Sequence, residues 1–147
     1  MGELLGITYR EGSRKPMLEI DACTVSEQTG VNGDYRGKPN KRQVTVLCEE
    51  KWRAACADLG EELHWTTRRA NLLVRGVAIG PECIGKILKV GGMTLKIVME
   101  TDPCFRMDEL RPGLKAALTP DWRGGACCTV LSTGDIAVGD GVAFLDE

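Results

Sequence analysis

The clearest pairing signal is in the stretch Lys86-Ile87-Leu88-Lys89-Val90-Gly91-Gly92-Met93-Thr94-Leu95-Lys96-Ile97-Val98-Met99. Both halves are rich in the aliphatic residues typical of strands. They are separated by two glycines, and a two-residue glycine loop is a strong signal for a β-hairpin. We therefore predict that residues 86–90 pair with residues 93–99 as antiparallel strands.

Strand signals recur along most of the chain. Short apolar segments are bounded by glycine, proline and polar turn residues, which indicate strands joined by tight connections. Further strands are predicted at residues 4–9, 17–25, 43–47, 71–77, 127–131, 136–138 and 142–145. So many short strands favour an all-β fold, either a curled sheet or a small barrel.

Helical signals are few. One long helix is predicted at Glu49–Leu59, where two acidic residues meet the positive end of the helix dipole and Gly60 supplies a stop. A second helical piece, residues 107–118, is interrupted by Pro112 and Gly113. Helices therefore accompany the predicted sheet and do not form the core of the fold.

Length and charge favour one compact domain that spans residues 1–147. The chain has 43% hydrophobic residues and a net charge of −2, from 19 Lys and Arg against 21 Asp and Glu. A net charge of −2 does not attract the whole molecule to nucleic acid or to an anionic membrane. Any anion site must therefore be a local cluster of positive side chains. The sequence has neither a signal peptide pattern nor an apolar run long enough for a membrane span. We expect a soluble, cytoplasmic protein with no nucleic-acid or membrane partner.

The cysteines indicate a reducing compartment. There are seven, an odd number without a CxxC pair, and the chain has a single histidine. A structural zinc site is therefore not expected, because it needs closely spaced ligand pairs. Cys127 and Cys128 are predicted to lie on alternating faces of one strand.

Cys104 is the cysteine with the strongest chemical signal. It follows Pro103, which fixes its own φ and lacks an N–H, so a strand is expected to end there and the thiol to lie on a stiff turn beside Arg106. A nearby guanidinium favours the thiolate, which is the form that attacks, carries sulfur or binds a soft metal. The alternative is a thiol packed at the end of a strand.

Six short landmarks follow one another in a defined order. They are Gly30-Val31-Asn32-Gly33-Asp34, Arg42-Gln43-Val44, Arg69-Ala70-Asn71-Leu72, Pro103-Cys104, Arg123-Gly124-Gly125 and Gly134-Asp135-Ile136-Ala137-Val138-Gly139-Asp140. This ordered set resembles the MOSC domain, which is found in molybdenum cofactor sulfurases, in the mitochondrial amidoxime-reducing component and as free-standing bacterial proteins. The resemblance implies a single MOSC domain over residues 1–147, folded as a mostly antiparallel β-barrel with one or two short helices.

Most landmarks outside the Pro-Cys pair have two interpretations. Arg69 and Asn71 are two residues apart, so on a strand they would share a face and hold a phosphate, a carboxylate or a pterin edge. Alternatively, Arg69 pairs with an acidic neighbour at the barrel mouth. Arg123-Gly124-Gly125 is interpreted as a glycine turn whose N–H groups and guanidinium face an anion. Arg36, Lys38, Lys41 and Arg42 either extend that anion surface or form a solvated loop.

The resemblance also implies a role for Cys104, which matches the cysteine of the family's Pro-Cys motif. In the sulfurases this position has been proposed to carry a persulfide, and in the amidoxime-reducing component the matching thiolate ligates molybdenum. Both roles need an accessible, deprotonated sulfur near positive groups. Arg69, Arg106 and Arg123 would supply these groups if the barrel brings them together.

The leading hypothesis is a sulfur carrier with sulfurtransferase-like activity. Cys104 would accept sulfur from a separate cysteine desulfurase and pass it to a molybdenum or tungsten pterin cofactor, or to a molybdenum cofactor enzyme. The residues assigned to cofactor binding are Arg69, Asn71, Arg106, Arg123 and Gly124. We expect no pyridoxal phosphate on this chain, because it lacks the aminotransferase-like domain of the sulfurases.

Two alternatives come from other functional classes. In the first, Cys104 ligates molybdenum directly and the protein reduces N-hydroxylated substrates. The chain lacks the N-terminal β-rich domain of the amidoxime reductases, so a partner or a second copy would have to complete the pocket. In the second, the chain is a non-catalytic binding domain that retains only the barrel.

Overall fold

The secondary structure follows the short-strand pattern of the sequence. The computed structural model describes residues 2–145 and has, within that range, eleven strands and three α-helices. The strands are β1 (Gly2–Tyr9), β2 (Leu18–Ile20), β3 (Ala22–Ser26), β4 (Gly30–Val31), β5 (Val44–Cys48), β6 (Leu72–Arg75), β7 (Ile87–Val90), β8 (Met93–Glu100), β9 (Ala126–Ser132), β10 (Gly134–Ala137) and β11 (Gly141–Phe144). The helices are α1 (Glu49–Leu59), α2 (Phe105–Leu110) and α3 (Leu114–Leu118), with 3₁₀ turns at Trp65–Arg68, Pro81–Cys83 and Pro120–Trp122. None of these described helices has the length and apolar character that a membrane crossing requires.

Seven of the strands close into a barrel. Their order is β11-β7-β8-β9-β5-β6-β1, and β1 pairs back onto β11. All neighbours in the barrel are antiparallel except β5 and β6, which are parallel and are joined by a crossover that contains α1. The prediction of an all-β, mostly antiparallel barrel is confirmed. Three short α-helices are present rather than one or two, because the predicted piece at residues 107–118 is split at Gly113, where φ is +92°.

The hairpin formed by β7 and β8 supplies much of the barrel interior. Val90 pairs directly with Met93 across Gly91-Gly92, as the sequence predicts. Leu88, Val90, Met93, Leu95 and Ile97 are all fully buried. Every second residue points inward along each strand, so this hairpin contributes five side chains to one core. Burial of each such aliphatic side chain contributes about 1.5–3 kcal/mol.

Helix α1 covers the outside of the barrel at β5 and β6. It has the predicted bounds, and Gly60 ends it in the left-handed conformation with φ of +71°. Trp52, Ala55 and Cys56 are buried in a second apolar cluster that α1 shares with α3. This cluster packs α1 and α3 against the outer face of the barrel.

The predicted strand at residues 17–25 is wrong in one respect, because it forms two strands. β2 pairs with β1, whereas β3 pairs with β4 and β10 in a separate small sheet. The chain passes from one sheet to the other at Asp21, whose carbonyl accepts a hydrogen bond of 2.8 Å from the Val138 N–H. The less exposed positions change phase across Asp21, from Leu18 and Ile20 to Cys23 and Val25, and this change of phase is the local signal that the prediction of one strand overlooked.

Candidate functional site

A cleft lies where the ends of β1 and β8 meet the first residues of β5, β6 and β9. Its volume is about 280 Å³. It is lined by the loop after β1, the loop before β5, the turn before β6 and the segment between β8 and α2. Within the described chain, the cleft brings together Cys104, Arg69, Asn71 and Arg106, four of the six residues selected from the sequence.

Cys104 immediately precedes α2, at the edge of this cleft. It is exposed, whereas Cys23 is half-buried and the other five cysteines are buried. Its carbonyl accepts a hydrogen bond of 2.9 Å from the Met107 N–H, which fixes the start of the helix. β8 ends at Glu100, and residues 101–104 form no regular secondary structure. The thiol is therefore presented on a short irregular segment between a barrel strand and a helix.

Arg68 is the best-anchored cation of the cleft. It is 7% exposed, and its guanidinium donates to the Gly124 carbonyl at 2.8 Å and to the Thr101 carbonyl at 2.9 Å. A third N–H lies 3.5 Å from the Met107 sulfur. Burial lowers the pKa of Arg68, and the Cys104 thiolate is the largest of the charges that oppose this lowering. Arg68 therefore places a fixed positive charge within electrostatic range of Cys104.

Positive charge dominates the cleft as a whole. The arginines in its lining are Arg10, Arg14, Arg36, Arg42, Arg68, Arg69 and Arg106, and the carboxylates there are Asp34 and Asp102. Burial lowers the pKa of Arg10 and of Arg69, and repulsion from neighbouring arginines lowers both further. A bound anion would relieve this repulsion. The cleft is thus a local concentration of positive charge, and a candidate anion site, on a chain whose net charge is −2.

The strand geometry predicted for Arg69 and Asn71 is wrong. Arg69 follows the 3₁₀ turn Trp65–Arg68 in the left-handed conformation, with φ of +66°, and β6 begins only at Leu72. The Arg69 guanidinium donates to the Lys15 carbonyl at 2.5 Å. It therefore links the turn before β6 to the loop after β1, and no acidic partner is recorded for it among the described residues.

Asn71 lines the cleft, but its amide is occupied by the protein itself. Its oxygen accepts from the Thr45 N–H at 3.0 Å and from the Thr45 hydroxyl at 3.2 Å. Its nitrogen donates to the Thr8 carbonyl at 3.1 Å. Asn71 therefore joins β1 and β5 beneath the cleft, where a buried amide must be hydrogen-bonded.

Arg123 and Gly124 are not among the lining residues of the described chain. Arg123 instead forms an ion pair of 2.6 Å with Asp58 and donates to the Ala117 carbonyl at 3.0 Å. Gly124 contributes through its carbonyl, which accepts from Arg68. The Arg123-Gly124-Gly125 turn thus positions Arg68 and does not itself present N–H groups and a guanidinium to the cleft.

The basic loop before β5 contributes part of its charge. Arg36 and Arg42 line the cleft, whereas Lys38 and Lys41 are exposed outside it. Asp34 orders this loop, because its carboxylate accepts from the Arg10 N–H at 3.1 Å and from the Arg36 N–H at 3.2 Å. The Gly33-Asp34 landmark therefore stabilises a turn, and this turn positions one wall of the cleft.

Three arginines of the cleft were missed in the sequence: Arg10, Arg14 and Arg68. Arg10 and Arg14 flank the glycine-containing turn after β1, which has no motif of its own. Arg68 stands beside the selected Arg69, so only the backbone conformation of the turn decides which of the two enters the interior. The adjacent pair Arg68-Arg69 was the only feature of the sequence that could have indicated a role for Arg68.

The side chains of the cleft include few potential metal ligands. Within residues 2–145, no group of three or more His, Cys, Asp or Glu side chains is arranged to bind a metal ion. Cys104 could supply one soft ligand, so the remaining ligands would have to come from a cofactor. A metal–pterin with an anionic phosphate fits this combination of one exposed thiol and seven guanidiniums.

Small oxyanions are expected to stabilise the protein by binding the cleft. At a pyrophosphate concentration ten times the Kd, binding adds about 1.4 kcal/mol to the free energy of unfolding. This is a rise in Tm of about 4.5 °C for a chain of this size. Thermal melts in pyrophosphate and in sodium chloride of equal ionic strength measure the difference.

Two arginine variants control this measurement. Arg36→Gln removes an exposed cation of the cleft and should reduce the shift, whereas Arg75→Gln removes an arginine that pairs with Glu3 elsewhere and should retain it. An equal shift in sodium chloride, or an unchanged shift in Arg36→Gln, would contradict anion binding in the cleft.

The chain matches the family model of the MOSC domain over residues 32–143. Among solved structures it is similar to the YuaD protein from Bacillus subtilis, with 19% identity over 97% of this chain and 94% of that chain and a TM-score of 0.78. It is also similar to YiiM from Geobacillus stearothermophilus, with 15% identity over 99% of this chain and 76% of that chain and a TM-score of 0.80. For YiiM from Escherichia coli the identity is 14% over 99% and 70%, with a TM-score of 0.74. No curated protein matches the sequence.

Proposed function

Since this chain belongs to the MOSC domain family, which is associated with the molybdenum cofactor, we propose that it is a sulfur-handling module in which Cys104 carries a persulfide. A cysteine desulfurase donates the sulfur. The acceptor is a molybdenum or tungsten pterin cofactor, free or within its enzyme. The protein acts on that cofactor as a substrate.

The observation that carries this proposal is the position of one exposed thiol at the edge of a cleft lined by seven arginines. The thiolate is the reactive form of cysteine, and neighbouring positive charges favour it. Arg68 couples to Cys104 electrostatically and is held in place by the Gly124 and Thr101 carbonyls. The same positive charges attract an anionic pterin phosphate, so nucleophile and acceptor are drawn to one place.

Loading of Cys104 is a thiol exchange. Its thiolate attacks the outer sulfur of the donor persulfide, a new sulfur–sulfur bond forms, and the donor cysteine leaves as a thiolate. No net oxidation occurs in this step. Release of the outer sulfur as sulfide then consumes two electrons, which thiols must supply.

The acceptor is held by charge. Arg10, Arg69 and Arg106 are the guanidiniums proposed to bind its phosphate, together with the fixed charge of Arg68. If the cofactor were instead resident, Cys104 would be the single protein ligand of its metal, and the cofactor would supply two-electron redox chemistry.

Mass spectrometry of the loaded protein tests the proposal. Brief incubation with a cysteine desulfurase and cysteine, stopped at once with acid, is expected to add the mass of one sulfur atom to the wild type and none to Cys104→Ser. Cys23→Ser is the matched control, because Cys23 is the next most exposed cysteine and burial raises the pKa of its thiol. It should load like the wild type.

Three other outcomes would contradict this proposal or favour an alternative function. Sulfur found equally on Cys104→Ser would contradict the role of Cys104. Stoichiometric molybdenum retained after expression in a host that makes the cofactor would favour direct ligation and a reductase. Loss of stability alone in Cys104→Ala, without loading of the wild type, would favour a binding domain.

A further inference from the structure

We propose that Cys127 is the resolving thiol that releases sulfur from Cys104. This inference rests on the proposed persulfide and assigns the source of the two electrons that its release consumes. Cys127 attacks the Cys104 sulfur, the outer sulfur leaves as hydrosulfide, and a Cys104–Cys127 disulfide remains.

The first support is position. Cys127 and Cys104 both line the arginine cleft. Cys127 lies on β9 opposite Met99 of β8, and the chain from Met99 leads within five residues to Cys104. The next residue, Cys128, belongs to the barrel core, so the alternation of the strand turns Cys127 toward the cleft.

The second support is the set of contacts shared through Thr101. The Thr101 hydroxyl lies 3.2 Å from the Cys127 sulfur, and the Thr101 carbonyl accepts a hydrogen bond from Arg68 at 2.9 Å. Thr101 begins the irregular segment that ends at Cys104. The proposed step requires a displacement of this short segment that brings the Cys104 sulfur to Cys127.

The third support is the electrostatic environment. Burial lowers the pKa of Arg68, and the thiolates of Cys104 and Cys127 are the two largest charges that oppose this lowering. One fixed guanidinium is thus within electrostatic range of both sulfurs. Cys127 itself is fully buried, so a thiol from solvent does not take its place easily.

Atoms and electrons balance within the protein. The Cys127 thiolate forms the new bond to the Cys104 sulfur, and the bond between that sulfur and the outer sulfur breaks. The outer sulfur gains two electrons and, with the proton from Cys127, leaves as hydrosulfide into the arginine cleft. The two cysteine sulfurs are oxidised to a disulfide, and an external dithiol reduces it before the next cycle.

Sulfide release from loaded protein tests the inference. Wild type freed of desulfurase and cysteine is expected to release hydrosulfide without added thiol and to lose two titratable thiols. Cys127→Ala should load normally, keep its persulfide and release no hydrosulfide. Cys128→Ala is the matched control, since it removes the adjacent buried cysteine on the opposite face of β9. It should release hydrosulfide like the wild type.

A second measurement is independent of loading. Mild oxidation of the unloaded protein with diamide is expected to give a Cys104–Cys127 disulfide, identified by peptide mapping under non-reducing conditions. Absence of that disulfide, or release from Cys127→Ala at the wild-type rate, would overturn the resolving role. Absence of any added sulfur on Cys127→Ala, which cannot resolve the persulfide, would instead overturn the proposed persulfide function, whatever the disulfide result.

Discussion

Arg68→Met is expected to lower the free energy of unfolding by about 2–4 kcal/mol. Methionine fills much of the same space but leaves the carbonyls of Gly124 and Thr101 without their donor. Each buried acceptor left unpaired costs about 1–3 kcal/mol. Removal of a buried charge offsets part of this loss, because burial lowers the pKa of Arg68 and so already disfavours its charged form.

Urea denaturation at constant ionic strength measures this change, with Arg69→Met as the matched control. Arg69 is adjacent in sequence and also lines the cleft, but it is only partly buried and donates to the carbonyl of the loop residue Lys15. We expect its replacement to change stability by less than about 1 kcal/mol. Equal losses in the two variants would contradict the anchoring role assigned to Arg68.

Gly125→Ala is expected to destabilise the protein by about 2 kcal/mol more than Gly139→Ala. Both glycines have φ of +100°, a conformation that strains any residue with a Cβ, so this strain is common to both variants. A Cβ at Gly125 would collide with the Val46 carbonyl of β5, whereas one at Gly139 meets nothing within 4 Å. The difference between the two losses of stability therefore measures the cost of the Cβ collision between the glycine turn and β5.

Thermal or urea unfolding of both glycine variants gives this difference directly. The Gly125 carbonyl also accepts from the Thr101 N–H at 2.9 Å, so its displacement should reach the segment that carries Cys104. Sulfur loading is then a second readout, and it should fall in Gly125→Ala but not in Gly139→Ala. Equal destabilisation by the two changes would show that backbone strain alone explains the need for glycine.

The elements that were predictable from the sequence have local signals. The hairpin of β7 and β8 is marked by Gly91-Gly92, and α1 is marked by its acidic start and by Gly60. The parallel pairing of β5 with β6 and the closure of β1 on β11 join segments far apart in the chain, and no local propensity encodes them. The residue pattern predicted either a curled sheet or a small barrel, and the family resemblance selected the barrel.

The site was predictable in part for the same reason. Cys104 and Arg106 follow from a proline and from adjacency, which are local features. The sequence pointed to Arg69, but it is Arg68 whose guanidinium is buried beside the cleft. This difference depends on the left-handed conformation of Arg69 at the end of a 3₁₀ turn. Arg123 was expected at the anion site, but the carboxylate of Asp58 on α1 lies within reach and pairs with it. Such choices are made by tertiary contacts that a single sequence does not display.

The pairing of β1 with β11 also constrains how the protein is made. Gly2 pairs with Val142, so the seam of the barrel joins two strands that are separated by almost the whole described chain. Until residue 144 has emerged, β1 and β7 each keep an unpaired edge in the nascent chain. Open edges of this kind recruit other strands, so slow translation of the codons for β11 should favour aggregation or chaperone capture.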